Sequence, residues 1–326
     1  MKKSNPVPGL FAALSMLLLI LDSKIALQSA AEGIDLCLRT VVPSLLPFFI
    51  LSGILVSDLV GRNISFLRPL GKLLGMPEGS ESLLISSFLG GYPVGAKAVR
   101  DFWAAGCLRK KDAERLLAFC SNAGPAFLFG MAAPMFSSPF AGWMLWFIQI
   151  LSALMVGLFS PESSAEKMMP SSSAHLSIPD ALKNALSITA QVCGWVILFR
   201  IVNGFLNRWF LWILPKAVQT AVMGFLELAN GCMALTSIQS EKLRFLLCSA
   251  MLSFGGICVL MQTLSAAKGL SLKCYAWGKL LQTGLSLLFA LAYVEKTIIL
   301  WFIPLPTLLL CQKFRKKSGN PQRVVV

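Results

Sequence analysis

Glu227 is an ionisable residue within an apolar stretch, VMGFLELANG, and Asn230 and Gly231 lie three and four residues after it. A carboxylate at membrane depth is energetically costly, and such residues usually mark a pathway for a substrate, a proton or an ion. We therefore interpret Glu227 and Asn230 as candidate substrate-binding residues. The alternative is that this segment lies at a shallow depth and that Glu227 reaches the water around the lipid headgroups.

Arg200 is a second charged residue inside an apolar run, GWVILFRIVNGFL. A buried guanidinium needs a partner, and Glu227 is the candidate for an ion pair with Arg200. The alternative is that the helix is shifted by one turn, so that the Arg200 side chain snorkels to the interface.

Residues 87–99, SFLGGYPVGAKAV, combine several helix breakers in one short apolar segment, and a second break begins at Ser121. Non-helical backbone at membrane depth is tolerated only where protein buries it or where it lines a cavity, and it often marks binding sites in transporters. The alternative is that these small residues only allow helices to pack closely. The remaining candidate substrate-binding residues are Gly91, Tyr92, Pro93, Gly95, Lys97, Ser121, Asn122, Gly124, Ser253 and Gln262.

The composition places the chain in a lipid bilayer. Of its 326 residues, 56% are hydrophobic and 13% are charged, against roughly 25% charged in soluble domains. The net charge of +14 comes from cations between apolar runs, so it does not indicate a nucleic acid partner. With a single histidine and no Cys-x-x-Cys pair, we expect no metal, no cofactor and no enzymatic activity.

Apolar stretches of about 17–25 residues indicate membrane spans, and they predict an all-α polytopic membrane protein. The segments 83–99 and 217–235 are interrupted by glycine, proline or polar residues, and we predict that each forms a re-entrant hairpin. The eight predicted transmembrane helices lie near residues 9–27, 41–60, 115–135, 141–160, 184–206, 245–267, 276–293 and 297–312.

The distribution of lysine and arginine predicts which side of the membrane each loop faces. With the N-terminus inside, 21 of the 29 cations fall in inner segments and 7 in outer segments, as the positive-inside rule requires. Lys279 counts among the inner cations. This topology requires both hairpins to enter and leave on the same side. Residues 1–21 resemble a signal peptide, but an uncleaved signal anchor fits a polytopic chain better.

The chain repeats its own pattern. Residues 41–160 and residues 184–293 each run span, broken segment, span, span, and Ser121-Asn-Ala-Gly124 has a counterpart in Ser253-Phe-Gly-Gly256. Each unit crosses the membrane three times, so the second copy is predicted to lie inverted relative to the first, as in many secondary transporters. The predicted organisation is completed by a signal-anchor helix and outer loop over 1–40, a cytoplasmic linker over 161–183, and a C-terminal helix and basic tail over 294–326.

Three motifs carry a family resemblance: GGYPVGAK at 90–97, AERLLAFCSNAGPAF at 113–127 and SFGGICVLMQ at 253–262. Together they resemble the sporulation integral membrane proteins of the YlbJ type, within the nucleoside recognition, or Gate, domain family. The resemblance implies a multi-pass protein of the cytoplasmic membrane of a spore-forming bacterium, linked to cortex formation. Gate segments are also similar to parts of nucleoside and ferrous-iron transporters. The chain is shorter than expected for this group, chiefly in the linker.

From the residues and the resemblance together, we expect a transporter-like protein that binds or passes a small polar solute or ion between two inverted repeats. The alternative is a non-conducting scaffold protein that is needed for assembly of the spore envelope. The expected partners are the lipid bilayer and a small polar solute or ion, with no nucleic acid.

Overall fold

A computed structural model describes residues 7–59, 64–160 and 176–304 of the chain, and these residues form helices without any β-strand. The helices are α1 Val7–Leu21, α2 Ser23–Leu36, α3 Val42–Leu59, α4 Arg68–Leu73, α5 Ser82–Gly90, α6 Val94–Ala104, α7 Lys110–Leu116, α8 Pro125–Phe127, α9 Pro139–Phe159, α10 Ile178–Trp209, α11 Lys216–Leu226, α12 Leu228–Ala234, α13 Glu241–Phe254, α14 Gly256–Ala266, α15 Lys273–Val294 and α16 Ile299–Phe302. The predicted all-α class is therefore confirmed for this part of the chain.

Four stretches of the described residues are long and apolar enough to cross a membrane, by length and composition: Ser23–Leu55, Pro139–Phe159, Ile178–Trp209 and Glu241–Ala266. This agrees with a helical membrane protein, whereas the count of eight spans stays a prediction. The polar linker expected over 161–183 is described only from residue 176, and there α10 already begins at Ile178, capped by the Ser177 hydroxyl. Residues 178–183 of the predicted linker are therefore helical. Residues 161–175 and the basic tail from Lys313 lie outside the described residues.

The N-terminal region differs from the prediction. A span over 9–27 followed by an outer loop to residue 40 was expected, but α1 ends at Leu21 and residues 23–59 are helical, with a π-helical turn at Cys37–Val41. The prediction of an outer loop was wrong because alanine, leucine and glutamine in this stretch favour a helix despite its lower hydrophobicity. Gly33 allows close packing here, since a Cβ atom would lie 3.1 Å from the Ile197 Cα of α10.

Two pairs of short helices occupy the segments predicted as hairpins. Helices α5 and α6 have 9 and 11 residues and are joined at residues 91–93, and α11 and α12 have 11 and 7 residues and are joined at Glu227. At 1.5 Å per residue these helices are roughly 10–17 Å long, about half of a hydrocarbon core or less. None of the four is long enough to cross a bilayer.

Two of the predicted spans are interrupted within the bundle. Over 115–135 the chain leaves the helix after Leu116 and stays non-helical until Pro125, and we call residues 117–124 break 1. Over 245–267 the helix ends at Phe254, because Gly255 takes a left-handed conformation with φ +83°. We call residues 255–256 break 2. The span predicted over 245–267 lies within the candidate span Glu241–Ala266, and the break expected near Ser121 is present. That residues 115–135 cross the membrane stays a prediction.

Between α3 and α9 the chain forms α4, the short pair α5 and α6, and a helical segment interrupted by break 1, and between α10 and α15 it forms the short pair α11 and α12 and a helical segment interrupted by break 2. That these two stretches are repeats stays a prediction. Helix α10 packs along α2 and α3, and α15 packs against α9 and α13. The halves also contact each other reciprocally, since α6 of the first half contacts α14 of the second, and α12 of the second contacts residues 128–132 of the first.

Candidate functional site

The turn between α5 and α6 lies against break 1. Gly91 has φ +72°, and a Cβ atom on it would lie 2.8 Å from the amide nitrogen of Gly124. A Cβ atom on Gly95 would lie 2.3 Å from the carbonyl oxygen of Cys120. The sequence places glycine at both positions because backbone meets backbone here. Pro93 completes the turn and is the N-cap residue of α6.

The turn between α11 and α12 lies against break 2 in a similar way. A Cβ atom on Gly256 would lie 3.2 Å from the carbonyl oxygen of Gly224 and 3.3 Å from that of Leu226. Within this hairpin a Cβ atom on Gly231 would lie 2.1 Å from the Cα of Gly224. Glycine thus brings the two arms into direct backbone contact, and the hairpin turn reaches break 2.

Tyr92 links the first hairpin to the second half of the chain. Its hydroxyl donates to the carbonyl oxygen of Leu252 at 3.3 Å and accepts from the Lys279 Nζ at 3.0 Å. Its ring lies against Gly255, where a Cβ atom would be 3.2 Å from the Tyr92 Cζ. The tip of the first hairpin therefore contacts break 1 through Gly91 and break 2 through Tyr92.

A cavity of about 50 Å³ lies where the two hairpin tips approach each other. Five of the predicted site residues line it: Gly91, Tyr92, Gly124, Glu227 and Gln262. The other wall is apolar and comes from α3 and α10, with the π-helical turn before α3, through Val41, Leu45, Phe49, Val192 and Val196. The polar groups therefore come from the two hairpins, break 1 and Gln262 of α14, and the long helices supply a hydrophobic wall.

Glu227 is buried, at 3% exposed, and its carboxylate caps the N-terminus of α12. The Oε1 atom accepts from the Ala229 amide at 3.0 Å and the Oε2 atom accepts from the Asn230 amide at 2.7 Å. These amides and the positive end of the α12 dipole stabilise a carboxylate. Neither side-chain polar atom of Asn230 has a partner among the described residues.

The predicted pairing of Arg200 with Glu227 is wrong. Arg200 instead pairs with Glu32, with the Nη2 and Nε atoms at 2.6 and 3.1 Å from the Glu32 Oε2. Glu32 lies on α2, which packs along α10 and so places a carboxylate beside the guanidinium. Arg200 is not among the residues that line the cavity.

Lys97 also lies away from the cavity, contrary to its prediction as a binding residue. Its side chain is half exposed, and the Nζ forms an ion pair with the Asp101 Oδ2 at 2.6 Å one turn along α6. The i, i+4 spacing of Lys97 and Asp101 was the available signal for a solvent-facing pair.

Lys279 is the functional candidate that the sequence reasoning missed. We counted it as an inner-surface cation, but it is 2% exposed, and its Nζ contacts the Tyr92 hydroxyl and the Ser121 carbonyl oxygen. The same Nζ donates to the Gln282 Oε1 at 2.7 Å and lies 3.5 Å from the Asn122 Oδ1. The missed signal was a polar stripe on α15 at Lys279, Gln282 and Ser286, which share one helix face.

Three further predicted residues belong to the polar network around Lys279. Asn122 donates to the Ser87 hydroxyl at 2.8 Å and accepts from the Gln282 Nε2 at 2.8 Å. Ser253 donates to the Gln149 Oε1 at 3.2 Å, and Ser121 contributes its carbonyl oxygen to Lys279. Gln149 lies on α9, and its carbonyl oxygen accepts from the Gln282 Nε2 at 3.4 Å, so buried hydrogen bonds connect break 1, α9, α15 and the end of α13. The described residues contain no group of three side chains that could hold a metal ion.

Comparison with known proteins finds one partial similarity. The chain is 31% identical over 137 residues to the sporulation integral membrane protein YlbJ of Bacillus subtilis (strain 168), which is 40% of this chain and 33% of that protein. It therefore spans about a third of the length of this curated relative. No protein-family model matches the chain, and no solved structure does. Over the matched part, then, the chain is similar to a sporulation integral membrane protein, and its apolar helices agree with a location in a membrane.

Proposed function

We propose that this protein is a transporter-like, multi-pass protein of the cytoplasmic membrane of a spore-forming bacterium, and that it acts in sporulation. In this proposal a small polar solute or ion binds in the cavity between the two hairpin tips, and the two halves are inverted repeats. The similarity to a sporulation membrane protein supports the cellular role. The observation that carries the transport role is that Tyr92 of one hairpin and Glu227 of the other line the same cavity.

The lengths of the helices support a site within the membrane. The hairpin arms have 7–11 residues, so two hairpins that enter from opposite sides would bring their tips together near the middle of a bilayer. The reciprocal contacts of α6 with α14 and of α12 with residues 128–132 are those expected of two related halves that pack head to tail. Sites between inverted repeats at such broken segments are a common plan of secondary transporters.

The size of the cavity favours a small ligand. A water molecule needs roughly 10–15 Å³ of this kind of volume, so a cavity of about 50 Å³ has room for a few waters or for a partly hydrated ion. Drug-sized ligands occupy pockets of roughly 300–1,000 Å³. A nucleoside would therefore require the hairpin tips to separate. The Glu227 carboxylate makes a cation the better electrostatic match of the two kinds of ligand.

Transport is tested with the full chain reconstituted in proteoliposomes. Charge movement is recorded after jumps in Na⁺, K⁺ or H⁺ concentration, and uptake of tritiated uridine is measured in parallel. We expect a signal with one of these probes, and we expect Glu227→Gln to abolish it, because the amide keeps an oxygen for the α12 cap but removes the charge. Glu295→Gln is the matched control, since Glu295 pairs with Lys242 away from the cavity. Equal signals from both variants would remove Glu227 from the mechanism.

A second candidate function is a non-conducting scaffold for assembly of the spore cortex. The small size of the cavity and the largely apolar residues around it favour this reading. The two functions are separated in the native host by deleting the gene and counting heat-resistant spores after complementation. A transporter predicts that Glu227→Gln fails to restore spore counts although the protein reaches the membrane, whereas a scaffold predicts full restoration.

A further inference from the structure

A wide groove lies on the opposite side of α15 from the Lys279 network. Helix α7, the end of α9 and the beginning of α15 enclose about 1250 Å³ of open volume there. Helix α9 is one of the four candidate membrane spans, and it ends at Phe159 within this groove. The groove therefore sits where a membrane span reaches the bilayer boundary.

One rim of the groove is basic. Lys110 and Lys111 begin α7 and Lys273 begins α15, so three ammonium groups from two separate elements border the same space. None of the three forms an ion pair within the part of the chain that the structure describes. Lys110 lies over the Trp103 ring, with the Nζ 6.0 Å from its centroid.

The carboxylates that border the groove have other partners. Asp112 pairs with Arg109 at 2.9 Å, and Glu114 accepts from the Ser271 amide at 2.8 Å. The Arg115 guanidinium is turned inward and donates to the Leu74 carbonyl oxygen at 3.1 Å. The three lysines thus leave an excess of positive charge at the rim.

The wall below this rim is apolar and exposed. Trp277 is 75% exposed, Leu280 56% and Leu281 40%, and all three line the groove. A tryptophan near the end of an apolar wall is typical of the membrane interface, where the ring lies at headgroup level. Cations above an exposed apolar wall match a ligand with an anionic head and hydrocarbon tails.

We propose that this groove is a binding site for an anionic phospholipid. The phosphate contacts Lys110, Lys111 and Lys273, and the acyl chains lie along Trp277, Leu280 and Leu281. Basic pockets between transmembrane helices bind such headgroups through the charge of lysine and arginine. A zwitterionic lipid has no net charge to match the rim, so the site distinguishes lipids by headgroup charge.

The site also lies close to the Lys279 network. A Cβ atom on Gly278 would be 2.5 Å from the carbonyl oxygen of Ala118, so α15 meets the chain of break 1 directly behind the groove. Trp277 and Lys279 are two residues apart and point about 200° apart around the helix. A bound lipid therefore packs against the face of α15 that is opposite the Lys279 network. Lipid binding at this site does not depend on the proposed transport.

The proposal is tested by native mass spectrometry of the full chain in detergent. Cardiolipin, phosphatidylglycerol and phosphatidylcholine with the same acyl chains are titrated, with glycerol 1-phosphate as a headgroup without tails. We expect the two anionic lipids to bind and phosphatidylcholine to bind at least tenfold more weakly. We expect Lys110→Gln, Lys111→Gln and Lys273→Gln together to weaken cardiolipin binding about a hundredfold, which corresponds to about 2.8 kcal/mol.

The matched control removes the same number of charges elsewhere, by changing Lys24, Lys216 and Lys242 to glutamine. Its cardiolipin affinity is expected to equal that of the unaltered chain, and Trp277→Ala is expected to weaken lipid binding without changing the preference for anionic headgroups. Equal losses in the two triple variants would overturn the site. Equal binding of phosphatidylcholine would overturn the charge match, and glycerol 1-phosphate binding as tightly as cardiolipin would show an anion site that is not a lipid site.

Discussion

Gly95 offers a direct test of the packing between the first hairpin and break 1. A Cβ atom at this position would lie 2.3 Å from the Cys120 carbonyl oxygen and 3.1 Å from the Ser87 Cα. Ordinary van der Waals contacts begin at 3.4 Å, so Gly95→Ala requires a displacement of about 1 Å. Both atoms belong to the backbone, so no flexible side chain can move aside.

The expected change in the free energy of unfolding of Gly95→Ala follows from two opposing effects. Overpacking typically costs about 1–3 kcal/mol, and rigid backbone on both sides places this site in the upper half of that range. Replacing glycine by alanine inside a helix stabilises the helix by up to about 1 kcal/mol. The net loss is about 1–3 kcal/mol, which lowers Tm by about 1.5–4 °C for a chain of 326 residues.

The assay compares the thermal stability of Gly95→Ala with that of two alanine variants in exposed helix interiors. Gly194 in α10 and Gly284 in α15 have nothing within 4 Å of an added Cβ atom, so alanine is expected to leave Tm unchanged or to raise it slightly. Midpoints are measured by size-exclusion chromatography after heating in one detergent and at one heating rate, because unfolding is often irreversible. A Gly95→Ala variant as stable as these controls would refute the close contact of the hairpin with break 1.

Two further experiments test the contacts of the site. Tyr92→Phe is expected to lower the free energy of unfolding by about 1 kcal/mol, because it removes the hydroxyl that hydrogen-bonds to Leu252 and Lys279. The control is Tyr293→Phe, which should have no effect, since the Tyr293 hydroxyl has no hydrogen bond within the described residues. Equal unfolding midpoints for the two variants would contradict the hydrogen bonds of Tyr92. A double-mutant cycle between Glu32→Gln and Arg200→Gln should give a coupling energy of about 0.2–1 kcal/mol for this partly exposed pair. A larger coupling energy between Arg200 and Glu227 would contradict the pairing of Arg200 with Glu32.

The sequence located the hairpins well because their signal is local. Gly90, Gly91 and Pro93 lie within four residues, and the turn between α5 and α6 falls at 91–93. Glu227 likewise marked the turn between α11 and α12. Glycine and proline clustered this closely favour the end of a helix, whereas single ones do not end it, since Pro47 lies inside α3 and Gly194 inside α10.

The partners of the charged residues could not be predicted in the same way. Whether Arg200 meets Glu32 or Glu227 depends on which helix packs along α10, and that is a property of the tertiary structure. Counting cations also cannot show whether Lys279 faces the surface or the interior, since the positive-inside rule uses only the position along the chain. The spacing of polar residues on α15 indicates that Lys279 faces the interior. This indication can be interpreted only once break 1 is known to supply hydrogen-bond acceptors for the Lys279 ammonium group.

The short arms of the hairpins have a consequence for how this protein is made. A segment that is too short to span the bilayer and whose helix is interrupted by a turn has no stable place among lipid chains by itself. We therefore expect candidate spans such as α9 and α10 to be inserted first and the short helix pairs to pack against them afterwards. We infer that the last step in folding is the packing of each hairpin turn against its break. At these contacts Gly91 meets Gly124, and Gly256 meets Gly224 and Leu226.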